Sequence, residues 1–168
     1  MTRWQVLCGD LLDIPADGLI CSANPQLNLS GGVGGAFSLR YGPGMQDYLH
    51  NYLRDRQLRF VPPGSVVLAP SLGSSFLAVV HAVAIDAFYE TSADLVLRTY
   101  REAFAALAKA GCKSVAAACL GCGYGRCPEA EFLKSMQALI ANPPANVDDI
   151  TLATTNRSLT EALQNILP

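Results

Sequence analysis

The sequence has few charged residues and no long apolar run, and both shortages limit what the protein can be. Charged residues make up 15% of the 168 residues, and no block of basic residues interleaved with aromatic ones occurs. This pattern argues against a broad nucleic-acid surface. No apolar run approaches the length of a bilayer span, and residues 1–4 lead into a strand-like run without the layout of a signal peptide. We therefore expect a soluble, cytoplasmic protein with no membrane partner.

The composition is that of a small globular protein. Hydrophobic residues make up 51% of the chain and the formal net charge is −2, which is apolar enough for a packed core. The length predicts one domain over residues 1–168. A phosphate-bearing ligand remains possible, because backbone N–H groups and helix N-termini hold anions without lysine or arginine.

Histidine is scarce and cysteine is not, which bears on metal chemistry. The spacing Cys119-x-x-Cys122, with Cys112 and Cys127 nearby, allows a metal or redox site, but zinc sites usually show two such clusters or nearby histidines. We expect no metal and no cofactor, with reduced cysteines packed as small hydrophobic residues and Cys119 pointing into the core. Alternatively, Cys122 is a reactive thiol if it lies at a helix N-terminus.

Apolar runs alternate with helical patterns along the chain. Strands are predicted at 4–8, 18–21, 65–69, 76–85, 114–120 and 149–154. Helices are predicted at 36–41 and 45–58, after a cap at Thr91-x-x-Asp94, with Pro128 in the first turn, and after a capping box at Ser158-x-x-Glu161. This order predicts an α/β fold, a three-layer α/β/α sandwich with a central mixed, mostly parallel sheet. Ligands then bind at the carboxyl ends of the strands.

Three loops at predicted strand ends carry residues suited to a nucleotide. Asp10 follows the first strand and can accept from an adenine amino group, although the residue alone favours a turn or helix cap. Asn24 follows the second strand as a ribose contact or a turn residue, and the glycine-rich run 30–35 comes next. Residues 120–128 form a second glycine-rich run between a strand and a helix. Two such loops indicate a diphosphate held between them.

These stretches, in this order, resemble the macrodomain family of ADP-ribose-binding proteins. Residues 9–11 resemble the family's "GDI", residues 21–24 its "NAAN", and residues 30–37 its "GGGVxGAI" loop. Residues 79–83 are similar to "VIHTVGP", and residues 120–128 to "LGTGYGRLP". The five motifs keep the family's order and spacing over nearly the whole chain.

The resemblance implies a role for each loop. Asp10 would take the adenine amino group and the backbone of Leu11 its ring nitrogen, while Asn24 would face the distal ribose. The backbone of 32–34 would hold one phosphate and that of 121–124 the other. The implied ligand-binding residues are Asp10, Leu11, Ala23, Asn24, Ser30, Gly31, Gly32, Val33, Gly34, Gly35, Gly121, Cys122, Gly123, Tyr124, Gly125 and Asn156, the last near the adenine or proximal ribose.

The chain departs from the family where hydrolysis would occur. Gly34 replaces the Asp of the hydrolytic "GGGVDGAI" loop, and Cys21 replaces the first Asn of "NAAN". The aromatic residue of "GIYG" is displaced from position 125 to Tyr124. His81 is either a core histidine or a catalyst, and its buried strand favours the core. Asn24 is the remaining distal-ribose candidate, and an amide is not a general base.

Three functions are compatible with these residues. The first is binding of ADP-ribose, a derivative or an ADP-ribosylated target. The second is hydrolysis of such ligands, including de-ADP-ribosylation and cleavage of a 1″-phosphate or O-acetyl ester, since some family hydrolases act by positioning a water against the ligand's own phosphate. The third, a dinucleotide-dependent oxidoreductase, is weakest, because no G-x-G-x-x-G follows the first strand. Arg126 is either a phosphate or partner contact or a solvated loop residue.

Overall fold

The computed structural model describes residues 1–123 and 125–168, and its strands and helices alternate as predicted. The strands are β1 (Arg3–Cys8), β2 (Gly18–Ser22), β3 (Val66–Pro70), β4 (Ala78–Ala82), β5 (Ser114–Ala118) and β6 (Asp149–Thr154). The helices are α1 (Gly32–Tyr41), α2 (Gly44–Asp55), α3 (Ala93–Lys109), α4 (Glu129–Ala141) and α5 (Arg157–Gln164). A short 3₁₀ helix, Leu11–Asp13, follows β1. β4 is shorter than the predicted run 76–85 because only its central part pairs with neighbouring strands.

The six strands form one sheet in the order β1-β6-β5-β2-β4-β3. Every neighbouring pair is parallel except β3 and β4, which are antiparallel. The carboxyl ends of β1, β6, β5, β2 and β4 therefore lie along the same edge of the sheet. That edge is where open α/β sheets bind ligands.

Helices cover both faces of the sheet. Successive residues of β2 point to opposite faces, so Leu19 packs with Phe37 of α1, whereas Ile20 packs in a second core with Phe104 of α3 and Phe132 of α4. All five of these side chains are fully buried. The predicted three-layer α/β/α sandwich with a mixed, mostly parallel sheet is confirmed. No helix among the described residues is both long and apolar enough to cross a membrane.

The predicted cap of α3 is wrong by one residue. Ser92, rather than Thr91, precedes the helix in extended conformation, and its hydroxyl oxygen accepts from the N–H of Leu95 at 3.2 Å. Serine and threonine are both good N-cap residues, so the pattern alone does not distinguish between adjacent candidates.

Candidate ligand-binding cleft

A cleft of about 1050 Å³ lies at the carboxyl edge of the parallel strands. Of the predicted site residues that the structure describes, all but Gly35 and Gly121 line it, whereas Tyr124 lies outside the described residues. The predicted residues in the lining are Asp10, Leu11, Ala23, Asn24, Ser30, Gly31, Gly32, Val33, Gly34, Cys122, Gly123, Gly125 and Asn156. The fold thus brings three separate loops around one space. Contact of these residues with a ligand stays a prediction.

One end of the cleft is built on Asp10, which is both a cap and a lining residue. One carboxylate oxygen accepts from the N–H of Leu12 at 2.9 Å and so caps the 3₁₀ helix. The other accepts from Arg40 of α1 at 3.0 Å, and Arg40 also donates to Asp13 at 2.9 Å. The hydrogen bond to Asp13 raises the pKa of the Arg40 guanidinium above its usual value. The N–H of Leu11 has no acceptor among the described residues.

The first glycine-rich loop turns directly into a helix. α1 begins at Gly32, four residues earlier than the predicted start at position 36. Gly31 and Gly32 have positive φ angles of 73° and 55°, which glycine adopts without strain. Among the described residues nothing accepts from the N–H groups of Gly32, Val33 and Gly34, while Gly35 donates to Gly31 within the helix. A helix N-terminus with free N–H groups facing a cleft is suited to an anion.

Gly34 lies where the resemblance would place a catalytic carboxylate, and its surroundings are closed. A Cβ atom at this position would lie 3.0 Å from Cδ2 and 3.3 Å from Cα of Leu29. The backbone of Leu29 is itself held, because its N–H donates to Gln46 at 2.6 Å. A side chain at position 34 would therefore need the Leu29 side chain to turn aside and its Cα to give way by a few tenths of an ångström.

The second glycine-rich loop lines the same cleft as the N-terminus of α1. The N–H of Cys122 donates to the carbonyl of Cys119 at 3.2 Å, so this donor is already engaged within the loop, and its contact with a phosphate stays a prediction. The carbonyl of Gly121 accepts from Cys127 at 3.1 Å and closes the loop. The N–H of Gly123 has no acceptor among the described residues and remains suited to a phosphate oxygen.

The cysteines of this loop are not activated. Cys122 lies well before α4, whose first residue is Glu129, and burial raises the pKa of its thiol. Burial also raises the pKa of Cys119 to about 12, and its side chain lies in the core as predicted. A reactive Cys122 is therefore not supported. No group of three His, Cys, Asp and Glu side chains among the described residues is placed to hold a metal ion.

Two asparagines of the predicted site also hold the backbone. The amide of Asn24 donates to the carbonyl of Asn28 at 2.9 Å and accepts from its N–H at 3.0 Å, so Asn24 is a turn residue that lines the cleft. Asn156 caps α5 through an acceptor bond from Leu159 at 3.1 Å. The predicted capping box 158–161 is therefore wrong by two residues, because Ser158 is already helical. The amide N–H₂ group of Asn156 has no acceptor in the described part of the chain, and its contact with a ligand stays a prediction.

His81 is a core residue and not part of the cleft. It is fully buried on β4 beside Cys21 of β2 and Val67 of β3, and neither ring nitrogen has a partner among the described residues. Burial lowers its pKa to about 4. The ring is therefore neutral near pH 7, and the core alternative is confirmed.

The sequence-based reasoning missed the loop that follows β4. Ile85 and Tyr89 of this loop line the cleft beside Gly125, at the end opposite to Asp10. A Cβ at Gly125 would collide with Cγ2 of Ile85 and lie 2.9 Å from the carbonyl oxygen of Gly121. The loop contains no glycine, which hid it from a search for phosphate loops. The rule that ligands bind at strand carboxyl ends could have found it.

Comparisons with known proteins agree with this architecture. A bacterial relative, the "Macro domain-containing protein in sno 5'region" of Streptomyces nogalater, is 26% identical over 151 residues, which cover 89% of this chain and 83% of the relative. The Oceanobacillus iheyensis macrodomain with ADP has a TM-score of 0.84 at 18% identity, over 95% of this chain and 87% of that one. The Trypanosoma brucei macrodomain in complex with ADP-ribose has a TM-score of 0.79 at 17% identity, over 97% and 68%.

The family itself follows from a direct match. The family model described as "Macro domain" matches residues 20–136. This stretch runs from β2 through most of α4 and includes both glycine-rich loops. The chain belongs to the macro domain family.

Proposed function

We propose that the protein binds ADP-ribose, or an ADP-ribosylated target, in the cleft at the strand carboxyl ends. The base would lie at Asp10, the diphosphate between the two glycine-rich loops, and the distal ribose towards the loop after β4. The observation that carries the proposal is the pair of glycine-rich loops that line one cleft, one of which is a helix N-terminus whose N–H groups at 32–34 have no acceptor among the described residues. Structures of similar macrodomains contain ADP or ADP-ribose.

The chemistry of the base end supports an adenine nucleotide. Asp10 lines the cleft with a carboxylate that can accept from an exocyclic amine, and the neighbouring N–H of Leu11 can donate to a ring nitrogen. This donor–acceptor pair matches the edge of adenine and not that of guanine, whose keto oxygen would face the carboxylate. Arg40 keeps the carboxylate in place.

Binding is proposed ahead of hydrolysis because of the groups at the far end. The described residues there offer backbone N–H groups, the phenol of Tyr89, the amide of Asn24 and the thiol of Cys122. A general base must lie within hydrogen-bond reach of its proton. Asp10, the carboxylate of the described lining, is at the opposite end of the cleft.

Calorimetric titration with ADP-ribose, ADP and NAD tests the proposal. We expect a dissociation constant for ADP-ribose on the order of 1 μM, about −8 kcal/mol. NAD should bind more weakly, because its nicotinamide must also fit at the far end. An absence of detectable heat with all three ligands would refute the proposal.

Asp10 and Asp13 form a matched pair for testing the base position. Both contact Arg40, but only Asp10 lines the cleft. Asp10→Ala should weaken ADP-ribose binding by roughly 1.5–3 kcal/mol, the value of a hydrogen bond to a charged group. Asp13→Ala should change it by less than about 0.5 kcal/mol. Equal changes in ADP-ribose affinity for the two substitutions would mean that Asp10 stabilises the 3₁₀ helix and does not contact the base.

Hydrolysis is the alternative, with a ligand phosphate positioning the water. Incubation with a mono-ADP-ribosylated protein, followed by chromatography for free ADP-ribose, distinguishes the two. Binding without release supports a reader of ADP-ribosylation, whereas turnover supports a hydrolase. A cytoplasmic location also stays a prediction.

A further inference from the structure

We propose that Tyr89 is the specificity-determining residue of the far end, where its ring packs against the sugar beyond the diphosphate and so separates ADP-ribose from ADP. This inference rests on the proposed function, since it names the residue that would recognise the distal ribose. Tyr89 lines the cleft and is 47% exposed. It therefore offers an apolar face that a ligand can cover.

The sheet order puts the loop that carries Tyr89 on the side of the diphosphate loops away from the base end. Asp10 follows β1 and Tyr89 follows β4, which are four strand spacings apart in the sheet. At about 4.8 Å per spacing the two strands are roughly 19 Å apart. The helix N-terminus after β2 and the second glycine-rich loop after β5 lie between them. A ligand with its base at Asp10 and its diphosphate at these loops extends towards Tyr89.

The loop that carries Tyr89 is held in one conformation by a carboxylate. Asp86 accepts from the N–H groups of Phe88 at 2.8 Å and Glu90 at 2.9 Å. The backbone N–H of Asp86 also donates to the carbonyl of Glu90 at 2.9 Å. These bonds fold residues 86–90 into a closed turn with Tyr89 at a φ of 63°. A tyrosine is uncommon in this left-handed region, so the hydrogen bonds of the turn hold its backbone in that conformation.

The same loop is joined to the second glycine-rich loop. The N–H of Arg126 donates to the carbonyl of Tyr89 at 3.2 Å. Position 125 itself has no room for a side chain, because Ile85 and the carbonyl of Gly121 occupy the space a Cβ would need. Among the described residues that line this end, Tyr89 supplies the aromatic ring. A flat ring beside a glycine backbone is suited to a sugar next to a phosphate.

Calorimetry on Tyr89 variants with ADP-ribose and ADP tests the inference. Tyr89→Ala should weaken ADP-ribose binding about tenfold and ADP binding less than about twofold. Tyr89→Phe should retain both affinities, because the ring and not the hydroxyl makes the contact. Phe88→Ala is the matched control, since Phe88 is 78% exposed in the same turn and does not line the cleft.

Three outcomes would overturn the inference. The first is a Tyr89→Ala variant that binds both ligands as the wild type does, or loses both equally. The second is a loss with Tyr89→Phe as large as with Tyr89→Ala, and the third is a wild type with equal affinity for ADP and ADP-ribose. Tyr89→Gly, which suits the positive φ, carries the test if the alanine variant fails to melt cooperatively. A wild type that binds neither ligand would instead refute the proposed function.

Discussion

The two ends of the cleft are built in different ways. The base end is made by the side chain of one residue, since Asp10 caps the helix that immediately follows it and also pairs with Arg40 of α1. The far end is made by the close approach of two loops, since Ile85 closes the space above Gly125 and the N–H of Arg126 donates to the carbonyl of Tyr89. The first kind of contact leaves a motif in the sequence. The second leaves almost none, and it is where relatives with the same fold can differ.

The largest expected effect is a loss of the protein's stability in acid, caused by a histidine on β4, the strand that leads to the far end of the cleft. Burial lowers the pKa of His81 on β4 to about 4, below the ordinary value near 6.5. The unfolded chain therefore takes up the proton first as the pH falls. Above pH 6.5 the free energy of unfolding keeps its full value, and by pH 4 it has fallen by roughly 3 kcal/mol because the proton favours the unfolded chain.

Urea unfolding of wild type and His81→Leu between pH 4 and 7 measures this loss. The variant should show a flatter dependence of the free energy of unfolding on pH, since it carries no titrating ring in the core. Parallel pH profiles for the two proteins would show that His81 is protonated in the folded state. The far end of the cleft would then have a charged group, the His81 ring, in the strand that leads into the loop after β4.

The next largest effect concerns the closed space at position 125. Gly125→Ala should lower the free energy of unfolding by about 2 kcal/mol, because its Cβ meets Ile85 and the carbonyl of Gly121. Gly123→Ala is the matched control in the same loop, where a Cβ would meet nothing within 4 Å, and it should cost less than about 0.5 kcal/mol. Thermal or urea denaturation gives both values. Equal stability of the two variants would mean that this end is not tightly packed.

The smallest effect is expected from the ion pair at the base end. Arg40→Ala should weaken ADP-ribose binding by about 0.5 kcal/mol, since the pair is partly exposed and Asp10 keeps its bond to Leu12. Arg3→Ala removes another surface Arg–Asp pair, which Arg3 forms with Asp149 at the amino-terminal ends of β1 and β6, away from the cleft. This substitution should leave the affinity unchanged. A loss above about 2 kcal/mol for Arg40→Ala would make the guanidinium itself a ligand contact.

Much of the fold could be predicted because its causes are local. Continuous apolar runs such as 18–21 are typical of buried parallel strands, and they appear as β2 and its neighbours. Helix starts were less certain, since several capping residues occur together: Ser92 beside Thr91, and Asn156 two residues before Ser158. The three glycines at positions 32, 34 and 35 argued against a helix, but tertiary packing against the sheet overrides that propensity.

The site was predicted unevenly for the same reason. Asp10 and the N-terminus of α1 are recognisable because a residue type and its position after a strand are enough. The loop carrying Tyr89 has no glycine or charge motif, and its role depends on Asp86 folding it over position 125. The backbone use of Cys122 also depends on the turn it closes with Cys119, which spacing alone does not indicate.

The contact between Gly34 and Leu29 has a consequence for how sequences in this family can change. Because the backbone of Leu29 is held by Gln46 of α2, a side chain at position 34 requires Leu29 to give way by a few tenths of an ångström. The effects of substitutions at positions 29, 34 and 46 should therefore be non-additive, as expected for residues in contact. The stability cost of an aspartate at position 34 would then depend on which residues stand at positions 29 and 46.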